Sequence, residues 1–329
     1  MKRKPLYFIL FALLLVLFFV ADLLLGSSSL SLKDLFSTEV GRDILYSFRL
    51  PKAIVAVICG IALATCGLQM QTLFRNPLAD PYILGVSSGA GLGVALYIMG
   101  SALWGGAERS SLAVSLGSAG AALVGAFAVT MLILYISNRV KGNLTLLIFG
   151  VMIGFIASAI VNLLQYTSNA HSLKAYVLWT MGSFAALDKM QIAVLAILVV
   201  VGLTIAVWNI KNLNAILPGE EYAASIGLNV KSIRNRILIS TTLLAGAVTA
   251  FCGPIGFLGI AVPHIARFIF KDANHRVLFP ASALLGGVLT LLADTLSELP
   301  GTGSIIPINT MAALLGIPVI LVILFRKSK

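Results

Sequence analysis

Apolar residues run along this chain in continuous blocks of about twenty, separated by short polar stretches, and do not alternate with polar ones. A helix rises 1.5 Å per residue, so a block of that length crosses the hydrocarbon core of a bilayer. A membrane β-barrel would instead show strands of about ten residues with alternating polarity. Ten helical blocks are predicted, at 6–25, 53–73, 83–103, 112–136, 144–166, 190–208, 236–253, 255–270, 278–297 and 305–325. Only the string GPIG separates the seventh from the eighth. The first run, Leu6 to Leu25, follows a basic start and so has the outline of a signal peptide. It exceeds the usual apolar region of roughly 7–15 residues and lacks a clear small-x-small cleavage site after it, so it reads as an uncleaved span. The expected fold is all-α: one polytopic transmembrane domain over 1–329, with about ten membrane helices.

Composition agrees. Hydrophobic residues make up 59% of the 329 positions and charged ones 11%, against about 25% charged in a soluble domain. A soluble fold of this length could not cover so much apolar surface with a polar shell. In lipid every backbone polar group must be paired within the protein, which leaves helices or a closed barrel. The net charge of +11 changes meaning in this setting: Lys and Arg retain loops on the cytoplasmic side, and nucleic-acid binding is not expected. With both termini placed in the cytoplasm, the inner segments hold sixteen of the 23 basic residues and the outer loops seven. That bias favours an even number of spans in the inner (cytoplasmic) membrane, with both ends inside. Three of the outer basic residues, Arg42, Arg49 and Lys52, cluster just before the second span. They are either solvated charges beside Asp34, Glu39 and Asp43 or a group with a task.

The spans hold almost no ionisable groups. Asp22, Asp294 and Glu298 fall near outer helix ends, and Arg267 near an inner end. Ion-coupled carriers use buried carboxylates or histidines to bind or relay the ion, and membrane enzymes need a titratable or metal-binding cluster. His171, His264 and His275 are scattered, and Cys59, Cys66 and Cys252 lie in apolar segments without metal-ligand spacing. No catalytic residue, metal or cofactor is expected, so energy for transport should come from a partner. The chain has no GxxxxGK[ST] phosphate loop and cannot be that ATPase by this mechanism. A secondary transporter or channel of another class is the competing reading.

Small residues are frequent. The fifth block carries Gly150, Gly154, Ser158 and Asn162 at i, i+4 spacing, continued by Gln165. Gly60, Ala64, Gly67 and Gln71 make a similar stripe on the second. Such stripes permit close helix approach, with polar members bonding across helices. On the fifth block the alternative is a weakly polar pathway that passes a large hydrophilic solute without holding it. The longest inner loop, about 209–236, contains GEEYAASIGLNV. Glu, Tyr and Ala there can form a short helix that Gly227 terminates, a shape suited to a groove on another protein. The second inner loop, RNPLADP, is built of turn residues.

Several strings together resemble the FecCD-type permeases, importers of ferric siderophores, haem or vitamin B12. They are FRLPKAIVAVICGIALATCGLQMQTLFRNPLADPYILGVSSGAGLG, GEEYAASIGLNV, GPIGFLGIAVPHIARFIFKDANHRVLFPASALLGG and LLADTLSELP followed by MAALLGIP. They occur in order over nearly the whole chain. The resemblance implies a non-catalytic ten-helix subunit that pairs with a second permease subunit, with a homodimer expected. It also implies two ABC-type ATPase subunits below and an extracytoplasmic solute-binding protein above. By resemblance, Arg49 and Lys52 of RLPK meet acids of the binding protein, Lys52 the more weakly because it lacks the guanidinium fork. Gly219, Glu220, Glu221, Ala224 and Gly227 face the ATPase, and the inner gate falls near Gly142 and Asn143. Two strings depart from the family. Many members carry a basic residue four positions after the Asp of the ninth block, where this chain has Glu298 after Asp294. The usual ELPxG is IIPIN at Ile305 to Asn309, with ELPGTG appearing earlier instead. The third docking contact expected of the family is therefore changed in sign.

Overall fold

A computed structural model describes residues 4–26, 32–100, 111–140, 142–185, 187–298 and 305–327. The described chain is helical, and its one β feature is an isolated antiparallel bridge between Glu298 and Ile305. The helices are α1 (Lys4–Leu24), α2 (Leu32–Ser37), α3 (Glu39–Leu73), α4 (Val86–Ile98), α5 (Ser111–Arg139), α6 (Asn143–Thr167) and α7 (Ala170–Met181). They continue as α8 (Lys189–Trp208), α9 (Ile210–Ile216), α10 (Glu220–Ser225), α11 (Val230–Cys252), α12 (Leu258–Phe270), α13 (His275–Ser297) and α14 (Ile308–Lys327).

Seven described helices are long and apolar enough to cross a membrane: α1, α3, α5, α6, α8, α11 and α13. The predicted blocks at 83–103, 255–270 and 305–325 fall on three shorter apolar helices. The chain is thus a multi-pass helical membrane protein. The third block is shortened at its start because Asp80 caps a 3₁₀ turn, Pro81–Leu84, by accepting from the Tyr82 N–H at 2.9 Å. GPIG breaks the seventh block from the eighth through left-handed backbone at Gly253 (φ 77°) and Phe257 (φ 67°). Two stretches are wound as π-helix, Ile44–Arg49 within α3 and Thr242–Gly246 within α11.

The chain forms two compact units. Unit 1 takes Met1–Leu68, Gly182–Ile197 and Ile255–Lys329, and unit 2 takes Gln69–Met181 and Leu198–Pro254. In unit 1, α1 buries little beyond Phe11 and Asp22, and exposes Leu6, Leu13, Val16 and Leu17 as a lipid-facing helix does. Its start is held to α12 by Tyr7, Phe8 and Phe11 around the Phe270 ring and by the Lys4–Asp272 ion pair. The stripe on α3 is a packing seam. A Cβ on Gly60 would fall 2.3 Å from the Gly286 carbonyl, and one on Gly67 would fall 1.8 Å from the Gly259 carbonyl. Gly67→Ala must therefore push α3 off α12, at a cost of about 1–3 kcal/mol or more. Gly120→Ala on α5 meets open space and should be neutral or slightly stabilising. Thermal unfolding of the detergent-solubilised pair checks this. Equal midpoints would show that the seam is not close-packed.

In unit 2, α4 and α5 meet backbone to backbone. A Cβ on Gly125 would lie 2.1 Å from the Gly89 carbonyl, and one on Gly93 would lie 2.1 Å from the Ala121 carbonyl. Some of the buried polar groups of this unit are paired between helices, as an apolar surrounding favours. Gln69 Nε2 donates to Ser240 Oγ at 3.2 Å, and Ser240 Oγ donates to the Gly202 carbonyl at 2.9 Å. The Thr130 and Thr242 hydroxyls are 2.8 Å apart. All three cysteines are buried in the packing.

Candidate functional site

Three groups of residues stand out: a charged cluster in unit 1, and in unit 2 a short exposed helix and a polar cleft. The cluster forms where α1 ends. Arg49, at the close of the π stretch, is 9% exposed. Its Nη1 donates to the Leu23 and Leu24 carbonyls, both at 2.9 Å, and so serves the last turn of α1, whose carbonyls have no partner within the helix. Gly26 leaves it room, since a Cβ there would lie 2.7 Å from Arg49 Nη2. One turn on, Lys52 is 8% exposed. Its Nζ lies 2.6 Å from Glu298 Oε1 and 3.2 Å from Asp294 Oδ2, the second contact being an ion pair without hydrogen-bond alignment. Asp294 and Glu298 share a face of α13 at i, i+4 spacing. Thr295 Oγ1 donates to Asp22 Oδ1 at 3.0 Å, while Asp22 Oδ2 is buried with no partner among the described residues. The expected docking pair is thus turned inward: Arg49 is spent on α1 and Lys52 on α13. The departure at Glu298 has a physical partner, because the acid neutralises Lys52. Residues 299–304, which hold the rest of the ELPGTG string after Glu298, lie outside the described residues.

In unit 2 the loop after α8 folds as expected into a short helix, α10, between two glycines in left-handed backbone, Gly219 (φ 142°) and Gly227 (φ 83°). The Gly227 N–H donates to the Ala224 carbonyl at 3.0 Å and the Leu228 N–H to the Ala223 carbonyl at 3.1 Å, a glycine-terminated C-cap. Asn229 Oδ1 then starts α11 by accepting from the Ser232 N–H at 3.0 Å. Of the predicted residues, Gly219 is buried and Glu220 half-buried, while Glu221, Ala224 and Gly227 are exposed. Glu220 fastens the helix: Arg234 Nη2, from α11, lies 2.7 and 2.9 Å from its two carboxylate oxygens. Sequence reasoning missed Tyr222 and Ile226, 52% and 53% exposed. Their signal was present, an aromatic and an aliphatic residue at i, i+4 in the short GEEYAASIG segment. In the neighbouring RNPLADP loop, burial pushes the Asp80 carboxyl up to about 6.

The stripe on α6 does two things. A Cβ on Gly150 would lie 2.7 Å from the Ile83 carbonyl, so this residue packs against the 3₁₀ turn. Gly154 faces Ser88, and Ser158 and Asn162 line an open cleft. Gln165 is half-buried and lies beyond it. Gly142 (φ 102°) occupies the N-cap position of α6. Asn143 is its first residue, and the Asn143 side chain lies outside the described residues.

The described residues thus form a multi-pass helical membrane protein with a lightly polar cleft and an exposed short helix anchored by an ion pair. The FecCD transport family model matches residues 13–326, and the chain belongs to that family of permeases. It is 36% identical over 321 residues to the hemin transport system permease HmuU of Yersinia pestis, covering 96% of this chain and 94% of the relative. It is 33% identical over 328 residues to the vitamin B12 import permease BtuC of Salmonella newport, covering 100% and 97%. The inward-facing structure of a transporter assigned to the metal-chelate ABC type superposes with a TM-score of 0.86 at 29% identity, over 98% of this chain and 99% of the other. PsaBC from Streptococcus pneumoniae, solved with a Fab, shares the fold with a TM-score of 0.57 at 15% identity, over 88% and 92%.

Proposed function

We infer that this chain is the permease subunit of a binding-protein-dependent ABC importer that moves an iron chelate, haem or a corrinoid inward across the cytoplasmic membrane. The observation that carries the reading is the family match over nearly the full length, together with relatives named for haem and vitamin B12 transport. In this reading ten helices span the membrane as a single permease domain and both termini are cytoplasmic. Two copies pair, and two ATPase subunits seat α10 in their grooves through Glu221, Tyr222, Ala224 and Ile226. Gly219, Glu220 and Gly227 hold its ends. The binding protein docks at the end of unit 1 that carries Arg49 and Lys52. Lys52 reaches an acid of that protein only by exchanging Glu298 for it. Gly142, Asn143, Gly154, Ser158, Asn162 and Gln165 border the solute path, and Gly150 closes its packing.

The test is uptake in proteoliposomes holding this chain, its ATPase and its binding protein, with labelled ferric chelate, haem and cobalamin. Uptake of one solute that needs both ATP and the binding protein is expected. Uptake that proceeds with neither would replace the reading with a secondary transporter or channel.

A further inference from the structure

Between the end of α8 and the start of α11, unit 2 holds a cavity of about 340 Å³. Ile205, Trp208 and Asn209 line it from one side, and Arg236 and Ile239 from the other. Trp208 is 85% exposed, and Arg236 and Ile239 are exposed with it. Asn209 is buried and accepts from Asn212 Nδ2 at 2.7 Å, so it closes the wall and presents no accessible donor. The two arginines at the start of α11 have different surroundings. Arg234 is buried and bound to Glu220, whereas Arg236 forms no ion pair among the described residues. No acid is among the residues that line the cavity. Lys211, exposed and three residues beyond Trp208, adds a second positive charge just past this end of α8. Val201, Ile205 and Trp208 recur at i, i+4 and i+7, so they share one face of α8. Val201 is exposed and Ile205 half-buried. An apolar track thus runs along the helix and ends at an indole and a guanidinium.

An indole at a helix end is favoured at the boundary between bilayer and water, where its ring lies in the apolar region and its N–H turns to the headgroups. An arginine beside it lays its stem along apolar surface and holds its charge at the same level. The guanidinium fork matches two phosphate oxygens. The indole N–H, which only donates, also suits an oxygen acceptor. The cavity has the volume of about eleven waters, room for a phosphate and its glycerol, while acyl chains follow the track of Val201 and Ile205. A zwitterionic headgroup would bring its own ammonium toward Arg236 with no acid in the lining to receive it. Basic pockets between membrane helices on the cytoplasmic side recognise anionic lipid in this way. We propose that this cavity binds the headgroup of an anionic phospholipid, with Arg236 holding the phosphate and Trp208 covering it. The site goes beyond the transport reading and rests on it only for the leaflet, the cytoplasmic one.

The experiment places the full-length chain in phosphatidylcholine vesicles that contain a small fraction of lipid brominated just below the headgroup. That lipid is either phosphatidylglycerol or phosphatidylcholine. Bromine quenches indole fluorescence on contact, and the difference between the parent and Trp208→Phe isolates Trp208 from the other two tryptophans. Brominated phosphatidylglycerol should quench Trp208 at an about fivefold lower mole fraction than brominated phosphatidylcholine, the factor that one basic residue near the surface contributes. Arg236→Gln should remove the preference, and Arg236→Lys should keep part of it. An excess of inorganic phosphate should not reverse the quenching, because a free anion lacks the acyl chains. Equal quenching by the two lipids, a preference that survives Arg236→Gln, or reversal by inorganic phosphate would overturn the site. The same preference is expected with the partner ATPase bound. Its loss there would assign the cavity to that partner and overturn the lipid site in the assembled transporter. The quenching of the chain alone does not depend on transport, so a failed uptake assay would strike the importer reading and not this one.

Discussion

Replacing Lys52 with methionine should destabilise the protein by about 3–5 kcal/mol, the range for removing one partner of a buried ion pair. Lys52 Nζ is the cation that Asp294 and Glu298 share, at 3.2 and 2.6 Å, with Asp22 close behind. The side chains of the three paired residues are only 10%, 3% and 15% exposed, so water screens the loss little. Three acids would then face one another across α1 and α13 with no counter-charge. The loss should be largely restored by adding Asp294→Asn and Glu298→Gln, because neither of the two carboxylates paired with Lys52 is then left as an unpaired charge. Thermal unfolding of the purified, detergent-solubilised protein measures both steps. A single variant as stable as the parent would show that the ammonium is not the keystone of this end. The restored triple variant also separates two roles. If it folds and the binding protein still docks with unchanged affinity, Lys52 holds the permease together and takes no part in docking.

The sequence reports apolar run length directly, so the helices are legible, and even the interruption at GPIG coincides with a true break. Helix ends were less visible. The 3₁₀ turn at Pro81–Leu84 depends on Asp80 reaching the Tyr82 N–H, a short-range contact that apolarity does not encode. The π stretches in α3 and α11 leave no mark on hydrophobic periodicity. For the site, the difficulty is long-range pairing. Arg49 and Lys52 read as outer-loop cations because sequence offers no view of the α1 carbonyls, 25 and 26 residues earlier, or of α13. Glu298 was visible only as an oddity, and its reason is a lysine more than two hundred positions away. The α6 stripe shows why one pattern can support two readings at once. Its neighbour at Gly150 is backbone, which is packing, and its neighbour at Ser158 is an open cleft, on which the path reading rests.

Ile226→Glu combined with Tyr222→Ala should lower ATP-driven transport by roughly 30-fold while leaving the membrane fold unchanged. Both side chains are more than half exposed and lie at i, i+4 at the tip of α10. Large apolar groups held on a rigid, exposed element act as the anchors of interfaces, and losing such an anchor costs about 2 kcal/mol or more. Rigidity here comes from below: the Glu220–Arg234 pair ties the helix start to α11, and the left-handed glycines at 219 and 227 set both ends. The variants leave those supports in place, so the effect should fall on coupling and not on folding. Glu220→Ala gives the opposite signature, because it leaves Arg234, 6% exposed, without its carboxylate and should lower stability as well as transport. The measurement is ATPase activity and uptake in the same proteoliposomes, with unfolding midpoints for each variant. Transport lost at a parental midpoint is the expected result for the tip. Full coupling in the double variant would remove α10 from the contact with the ATPase, and would leave Glu220 and Arg234 as a structural clasp alone.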